Sequence, residues 1–338
     1  MWPGFQGSYG LDKSPNFEEN WHLNVGEDTD EIATRLNLDR DNVERIINRA
    51  REKLLVQREQ RVHPGRDEKI LTSWNALAIR GMSTAACYLG RSDFLDSAVR
   101  SLEFIRQSMW QDGRLLATCK DGKAHLNAYL DDYSFLLDAV LHLLGTRWNS
   151  EWLQFALQLA ERLLDLFYDQ DNGGFFFTSH DHEQLIQRRK DFMDDALPSG
   201  NGVAALALAR LGHLTNEPRY LEAAARTLQS AWNMIQRMPS AHNALLFALE
   251  DACAPPMQII LRGHQDTLAE WHKKVQHHAP IRCNIYAIPS GETGLPAILR
   301  ERNTTENIAA FVCQGFTCLE PFHDMNEMVR YLQSMKAV

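Results

Sequence analysis

The chain has 338 residues, 44% apolar, 23% charged and 9% aromatic, a balance that excludes a disordered or collagen-like chain and points to a globular core. Its 35 Lys and Arg face 44 Asp and Glu, a formal charge of -9, and no basic stripe could track a phosphate backbone, so nucleic acid is not expected as a partner. There is no apolar run of about 18 residues, and the start Met1-Trp2-Pro3-Gly4-Phe5 lacks a charged-then-apolar leader, so a cytoplasmic protein without membrane association is expected.

Along the chain, residues 1–39 scatter Gly4, Gly7, Gly10, Pro15, Asn16 and Asn20 among isolated aromatics. They read as a connecting arm with one helical stretch at 30–36. From 41 to about 60, Val43, Ile46, Ile47, Leu54 and Leu55 recur at near-helical spacing among charges, the pattern of a surface helix. Residues 70–89 are rich in Ala, Leu, Met and Trp and predict a helix buried on most sides. Residues 94–109 carry one apolar face, Phe94, Ala98, Leu102, Ile105 and Met109, and predict a half-exposed helix.

That pairing recurs. Residues 129–145 are almost wholly apolar after their first turn, and Trp152, Phe155, Ala156, Leu159, Leu163 and Leu166 then form a single stripe. The Ala-rich stretch 199–211 precedes an amphipathic helix at 219–235, and a further buried helix spans 241–252. Hairpins of this kind bury their apolar faces only by stacking on neighbours, in a solenoid or a closed double ring, and the long inserts between pairs favour the ring. After Ala254-Pro255-Pro256, strands at 257–261, 284–288 and 308–312 alternate with helices at 265–276 and 326–333. This predicts a small α/β unit with parallel crossovers. Three parts are therefore expected: 1–65 as arm and outer helix, 66–253 as hairpins, and 254–338 as the α/β unit.

Polar residues gather where the inner helices begin: Thr72-Ser73-Trp74-Asn75, Tyr129-Leu130-Asp131-Asp132-Tyr133, Pro198-Ser199-Gly200-Asn201 and Ser240-Ala241-His242-Asn243. If alternate helices run in the same sense, these four starts converge on one mouth. Ordinary N-capping accounts for any single cluster equally well. Asp131, Asp132, Asp194 and Asp195 are the candidate acid/base groups, because glycoside cleavage needs one carboxyl protonated and one ionised across a sugar-sized gap. Asp132 and Asp195 are the first choice. Trp74, Asn75, Tyr129, Tyr133, Phe175, Ser199, Asn201 and His242 are the candidate substrate contacts, rings for sugar C–H faces and polar groups for hydroxyls. His180-Asp181-His182 is a weak metal motif, so no metal and no cofactor is expected. The six cysteines form no CxxC. Disulfide stapling is not expected, and Cys313 and Cys318 read as strand-end residues with the wrong spacing for a thioredoxin-type pair.

Asp67 to Leu77, Tyr129 to Tyr133, Gly173-Gly174-Phe175-Phe176, Pro198 to Asn201 and Phe311-Val312-Cys313 to Cys318 resemble, as a set, the YyaL family, the relatives of spermatogenesis-associated protein 20. The resemblance covers nearly the whole chain. It implies a mainly α fold, an α/α toroid or six-hairpin glycosidase-like barrel similar to N-acylglucosamine 2-epimerases, followed by the small α/β unit. Family members begin with a thioredoxin-like domain and the first barrel helices, neither of which is visible here. A partial barrel is therefore expected. The resemblance implies a small carbohydrate ligand, with sugar hydrolysis or isomerisation as the chemistry. The alternatives are a non-catalytic glycan- or protein-binding module that completes a thioredoxin-like partner or self-associates, and a truncated, inactive product. The module should leave inner-helix residues such as Ala204, Leu208 and Leu245 uncovered.

Overall fold

Wholly apolar helices alternating with one-sided ones can bury their surfaces only in two layers, and the chain folds in that way. A computed structural model describes residues 2–183, 186–304 and 306–335. It separates into two compact units, Met1–Asp67 and Glu68–Val338.

The first unit keeps the helices expected at 30–36 and 41–60 and adds one in the stretch read as an arm. It holds three helices, α1 (Trp2–Ser8), α2 (Thr29–Leu36) and α3 (Arg40–Glu59). The Asp28 carboxylate accepts the Asp30 N–H at 2.9 Å and Glu31 reaches back to the Asp28 N–H at 3.1 Å, so α2 starts in a capping box. Ile32, Val43 and Ile47 form a small core with Tyr9 and Leu36 against it. The glycines of α1 had suggested a break, but Gly4 lies against Ile46 and Leu36. A Cβ on Gly4 would meet them at 3.5 and 3.6 Å, an ordinary contact, so the helix forms there without requiring glycine. On α3 only Val43, Ile47 and Ala50 are buried, so it is the surface helix its charges predict.

In the second unit, α4 (Thr72–Leu89), α6 (Leu130–Thr146), α8 (Gly200–Thr215) and α10 (Asn243–Cys253) form an inner row, each packed on the next. Outside them run α5 (Ser92–Phe104), α7 (Ser150–Phe167) and α9 (Pro218–Arg237), each packed on the inner helix before it. This is an arc of an α/α toroid. Leu136, Leu137, Val140 and Leu144 of α6 are all fully buried. At the α8–α10 crossing a Cβ on Gly202 would stand 2.6 Å from the Ala244 Cβ, so only glycine allows this approach.

The row ends at α4 and α10. Trp74, Ala78, Gly81, Tyr88 and Leu89 are exposed on α4, contrary to a helix buried on most sides, and Phe247 is exposed on α10. Ala204, Leu208 and Leu245 are fully buried, so the uncovered surface sits at the ends of the arc and not along its middle.

Between α5 and α6, where no regular structure was expected, the chain makes β2 (Trp110–Gln111), β3 (Arg114–Lys120) and β4 (Lys123–Asn127). β3 pairs antiparallel with all three of its neighbours, β2, β4 and β1 (Ile70–Leu71). The turns Asp112-Gly113 and Asp121-Gly122 have positive φ, as two-residue hairpins require.

The α/β portion is a four-stranded sheet, ordered β6-β5-β7-β8 and built from β5 (Met257–Gly263), β6 (Cys283–Pro289), β7 (Ile308–Gln314) and β8 (Thr317–Cys318). Only β5 and β6 are parallel, joined by the crossover helix α11 (Gln265–His278); β7 is antiparallel to β5 and β8 to β7. The expectation of parallel crossovers fails at β7, whose connection carries only the five-residue helix α12 (Ala297–Glu301). Met257, Ile259 and Leu261 face α11 and α13 (Met325–Met335), while Ile260, Tyr286 and Ile288 join the core of the helical hairpins. β6 packs on α6, with the Ile285 carbonyl beside Gly145 near its C-terminal end, and Gln258 of β5 lies beside the His213 and Leu214 backbone of α8. The sheet therefore closes the end of the inner row opposite the helix starts.

The same sheet corrects the cysteine expectation. In the β7–β8 hairpin Cys313 stands opposite Cys318 with a Cα separation of 4.0 Å, and the two form a disulfide. The tight turn at Gly315 supplies the proximity that the spacing alone did not suggest.

Candidate functional site

Two aspartates stitch the starts of the four inner helices together in pairs, and a third lies between the pairs. Asp132, 4% exposed, accepts the Tyr129 N–H at the start of its own helix and the Ser73 N–H of α4, both at 2.9 Å. Asp194, on the loop before α8, repeats the device. It accepts the Ser199 N–H at 2.8 Å and the Ala244 N–H of α10 at 3.1 Å. Between these two joints the Asp131 carboxylate lies where a Cβ of Gly200 would be, against the first residue of α8. The convergent mouth expected from the four polar clusters is therefore present.

Convergence gives these residues different tasks. Burial pushes the Asp132 carboxyl up to about 6, although the Tyr129 and Ser73 N–H groups pull it down. Both its oxygens are committed to backbone donors, so it clamps α4 to α6. Asp194 clamps α8 to α10 in the same way, which leaves it little freedom to transfer a proton. Asp195 is exposed and only its backbone is held, its N–H donating to the Leu197 carbonyl at 2.9 Å. Asp131 is half-buried and takes no hydrogen bond among the described residues. Its carboxyl is pushed up to about 6, first by burial and then by the charges of Asp132 and Asp191.

Among the expected contacts, Trp74 is 62% exposed at the first turn of α4. Asn75 is half-buried, its side chain donating to the Leu71 carbonyl at 2.8 Å. The half-buried Tyr129 stacks on Phe177 at 5.0 Å, and the Leu130 N–H donates to the Phe177 carbonyl, which fastens the loop before α8 to the mouth. Tyr133 and Phe175 are fully buried in the core, where they cannot meet a ligand; the Tyr133 hydroxyl accepts the Leu115 N–H at 2.9 Å. Phe176 lies under Arg188. Ser199 caps α8, its hydroxyl donating to the Asp191 carbonyl at 3.3 Å. Asn201, fully buried, accepts the Phe175 N–H at 2.7 Å and donates to the Phe175 and Asp191 carbonyls, each at 2.9 Å. It anchors Asp191 beside α8 and serves the site by positioning. His242 is 2% exposed, with Nδ1 at 2.8 Å from the Met238 carbonyl and Nε2 buried without a partner.

Asp194→Ala should cost about 1–3 kcal/mol, because it strips the cap from two helix starts at once. A urea titration should show it as a lower midpoint with an unchanged slope. A midpoint equal to that of the parent protein would show that the two N–H groups find other acceptors.

Asp138 has no place among the expected site residues, and it lies seven residues beyond Asp131 on α6. That spacing is two turns, about 10 Å along the same helix face. Asp138 is 1% exposed and is met by Arg80 of α4 at 3.0 Å, Arg210 of α8 at 3.3 Å and His142 at 3.7 Å. Burial pushes its carboxyl up, but His142, Arg80 and Arg210 together hold it below the ordinary range. Burial drives the His142 imidazole down to about 4. Arg210 continues to Asp251 at 3.8 Å, which Arg282 meets at 2.9 Å. Sequence reading misses this network because its members lie far apart in the chain and share no motif.

Among the described residues no group of three His, Cys, Asp or Glu side chains could hold a metal ion, and Asp181 of the His180-Asp181-His182 stretch pairs with Arg114 at 2.6 Å. Grooves of about 380, 370 and 500 Å³ lie between α7 and α9, between the C-terminal end of α6 and α11, and between α5 and α7. None of these three is lined by a mouth residue. No described helix is long and apolar enough to cross a membrane.

No family model matches the chain. It is similar to spermatogenesis-associated protein 20 of Homo sapiens, with 28% identity over 319 residues, 89% of this chain and 40% of that protein. The same protein of Rattus norvegicus is 26% identical over 354 residues, covering 96% of this chain and 45% of its own. The chain thus spans less than half the length of these curated relatives. Among solved structures, a GH76 α-mannanase of Bacteroides thetaiotaomicron superposes with a TM-score of 0.44 at 12% identity, over 82% of this chain and 71% of that one.

Proposed function

We propose that this chain, a relative of spermatogenesis-associated protein 20 along most of its length, binds a small carbohydrate at the mouth of its inner helices and transfers protons there through Asp131. The observation that carries this reading is the state of Asp131. It is the one mouth carboxyl that is half-buried, pushed up to about 6 and taken by no hydrogen bond among the described residues. A carboxyl with a pKa near neutrality can donate a proton to a leaving oxygen or remove one from carbon, as sugar hydrolysis or isomerisation requires.

Asp191, whose charge Asp131 feels and whose backbone Asn201 and Ser199 hold, is the second carboxylate in place of Asp195. Trp74 offers an exposed ring beside the Ser73–Asp132 joint, and a sugar C–H face stacks on it. Asn75 and Tyr129 present polar groups at the same rim.

The test is a thermal melt of the full chain with a panel of mono- and disaccharides, amino sugars and sugar phosphates. A ligand at about 100 times its Kd adds roughly 2.7 kcal/mol, a shift of several degrees. One saccharide class should shift the transition. Trp74→Ala should weaken that response about tenfold in apparent Kd while leaving the unliganded midpoint unchanged. If no saccharide moves the transition, the carbohydrate reading fails.

A further inference from the structure

The disulfide between Cys313 and Cys318 is asymmetric. Cys313, in β7, is 2% exposed, whereas Cys318, in the two-residue edge strand β8, is exposed to solvent. The Arg302 guanidinium approaches the outer sulfur, with Nη2 at 3.6 Å from the Cys318 Sγ. Its Nη1 is buried without a hydrogen-bond partner, and no carboxylate pairs with Arg302 among the described residues. Arg302 is held in place as the cap of α12, its N–H donating to the Ile298 carbonyl at 3.2 Å. A partly buried cation without a counter-ion, beside a sulfur that becomes an anion on reduction, is the arrangement that stabilises a thiolate.

We propose that Cys313 and Cys318 are a redox-active dithiol/disulfide pair, with Cys318 as the nucleophilic sulfur, Arg302 as the residue that stabilises its thiolate, and a cysteine-containing thiol or disulfide as the co-reactant. In the reduced state the Cys318 thiolate attacks a partner disulfide. One new S–S bond forms to Cys318 and one partner thiolate leaves. Cys313 then loses its proton and attacks the Cys318 sulfur, which restores the intramolecular bond and releases the second partner thiol. The pair gives up two electrons and two protons, and one disulfide becomes two thiols. Reduction of the pair by a dithiol is the same sequence reversed.

The full chain, reduced with dithiothreitol under native conditions, is alkylated at pH 7 with limiting iodoacetamide, and each cysteine is followed by mass spectrometry. Cys253 is an exposed free thiol of the same chain and serves as the internal reference. Cys318 should react roughly fivefold faster or more than Cys253. Arg302→Gln should abolish that advantage and Arg302→Lys should keep part of it, with unchanged melts. Equal rates at Cys318 and Cys253, or a disulfide that dithiothreitol reduces only after denaturant is added, would overturn the proposal.

Discussion

Asp131→Asn is expected to lower saccharide turnover by about 10²–10⁴-fold, the usual contribution of a positioned general acid or base, and at the same time to make the protein more stable above neutrality. The second effect follows from proton linkage. Asp131 has its folded pKa raised to about 6 from 3.8. The folded state therefore binds this proton more tightly than the unfolded state does. The resulting stabilisation is fully present below about 4 and is lost as pH rises through about 6. At pH 8 the parent protein holds a desolvated carboxylate that asparagine replaces without charge. The gain is of the order of 2–3 kcal/mol at about 1.4 kcal/mol per pKa unit. Urea titrations of both proteins at pH 4 and pH 8 should show midpoints converging at the lower pH and the variant ahead at the higher. A variant less stable at both pH values, with turnover intact, would make Asp131 a structural carboxylate. Greater stability with lost activity would mark a site kept for function at a cost in stability.

Asp138→Ala should destabilise the second unit by about 3–5 kcal/mol, because removing the shared carboxylate of a buried charge network leaves Arg80 unpaired among the described residues and Arg210 with only the more distant Asp251. Arg80, Arg210 and His142 all lose their shared carboxylate. The melting midpoint should fall by roughly 5–15 °C. The depressed pKa of Asp138 adds a pH dependence of the opposite sense to that of Asp131: its contribution is present above the unfolded value of 3.8 and is lost as pH falls below it. The double variant Asp138→Leu with Arg210→Met should recover part of the loss, since an apolar pair of similar volume replaces both ions. A single variant within 1 kcal/mol of the parent would mean that water, not Asp138, solvates the arginines.

Much of the architecture was legible because it rests on periodicity. The inner and outer helices differ in how many faces must be apolar, and that difference is written into 129–145 and 152–166 residue by residue. The convergence of four helix starts was legible for a related reason, since the first turn of an apolar helix is where N–H groups without intrahelical partners need polar acceptors. The hairpins around Asp112-Gly113 and Asp121-Gly122 could have been found from those two turn dipeptides, each followed by a short run suited to a strand. In the first unit α2 and α3 were legible in their spacing and α1 was not. α1 packs on α2 and α3 through contacts remote in sequence, with Gly4 against Leu36 and Ile46.

Within the mouth, the residue types were legible and their tasks were not. Asp131 and Asp132 are adjacent and chemically identical, yet the quarter turn between them sends one to the Ser73 and Tyr129 N–H groups and the other against Gly200. Phe175 and Tyr133 look like ligand contacts until the core encloses them. The sequence by itself determined which segments are helices, which helices lie inside and at which end their polar starts gather, because these depend on local patterns of burial and capping. Only the tertiary structure decided which aspartate is a clamp and which is free, that Asp138 holds three helices through their charges, and that Cys313 meets Cys318. Hydrogen bonds, ion pairs and desolvation act between groups distant in the chain, and no local pattern records them.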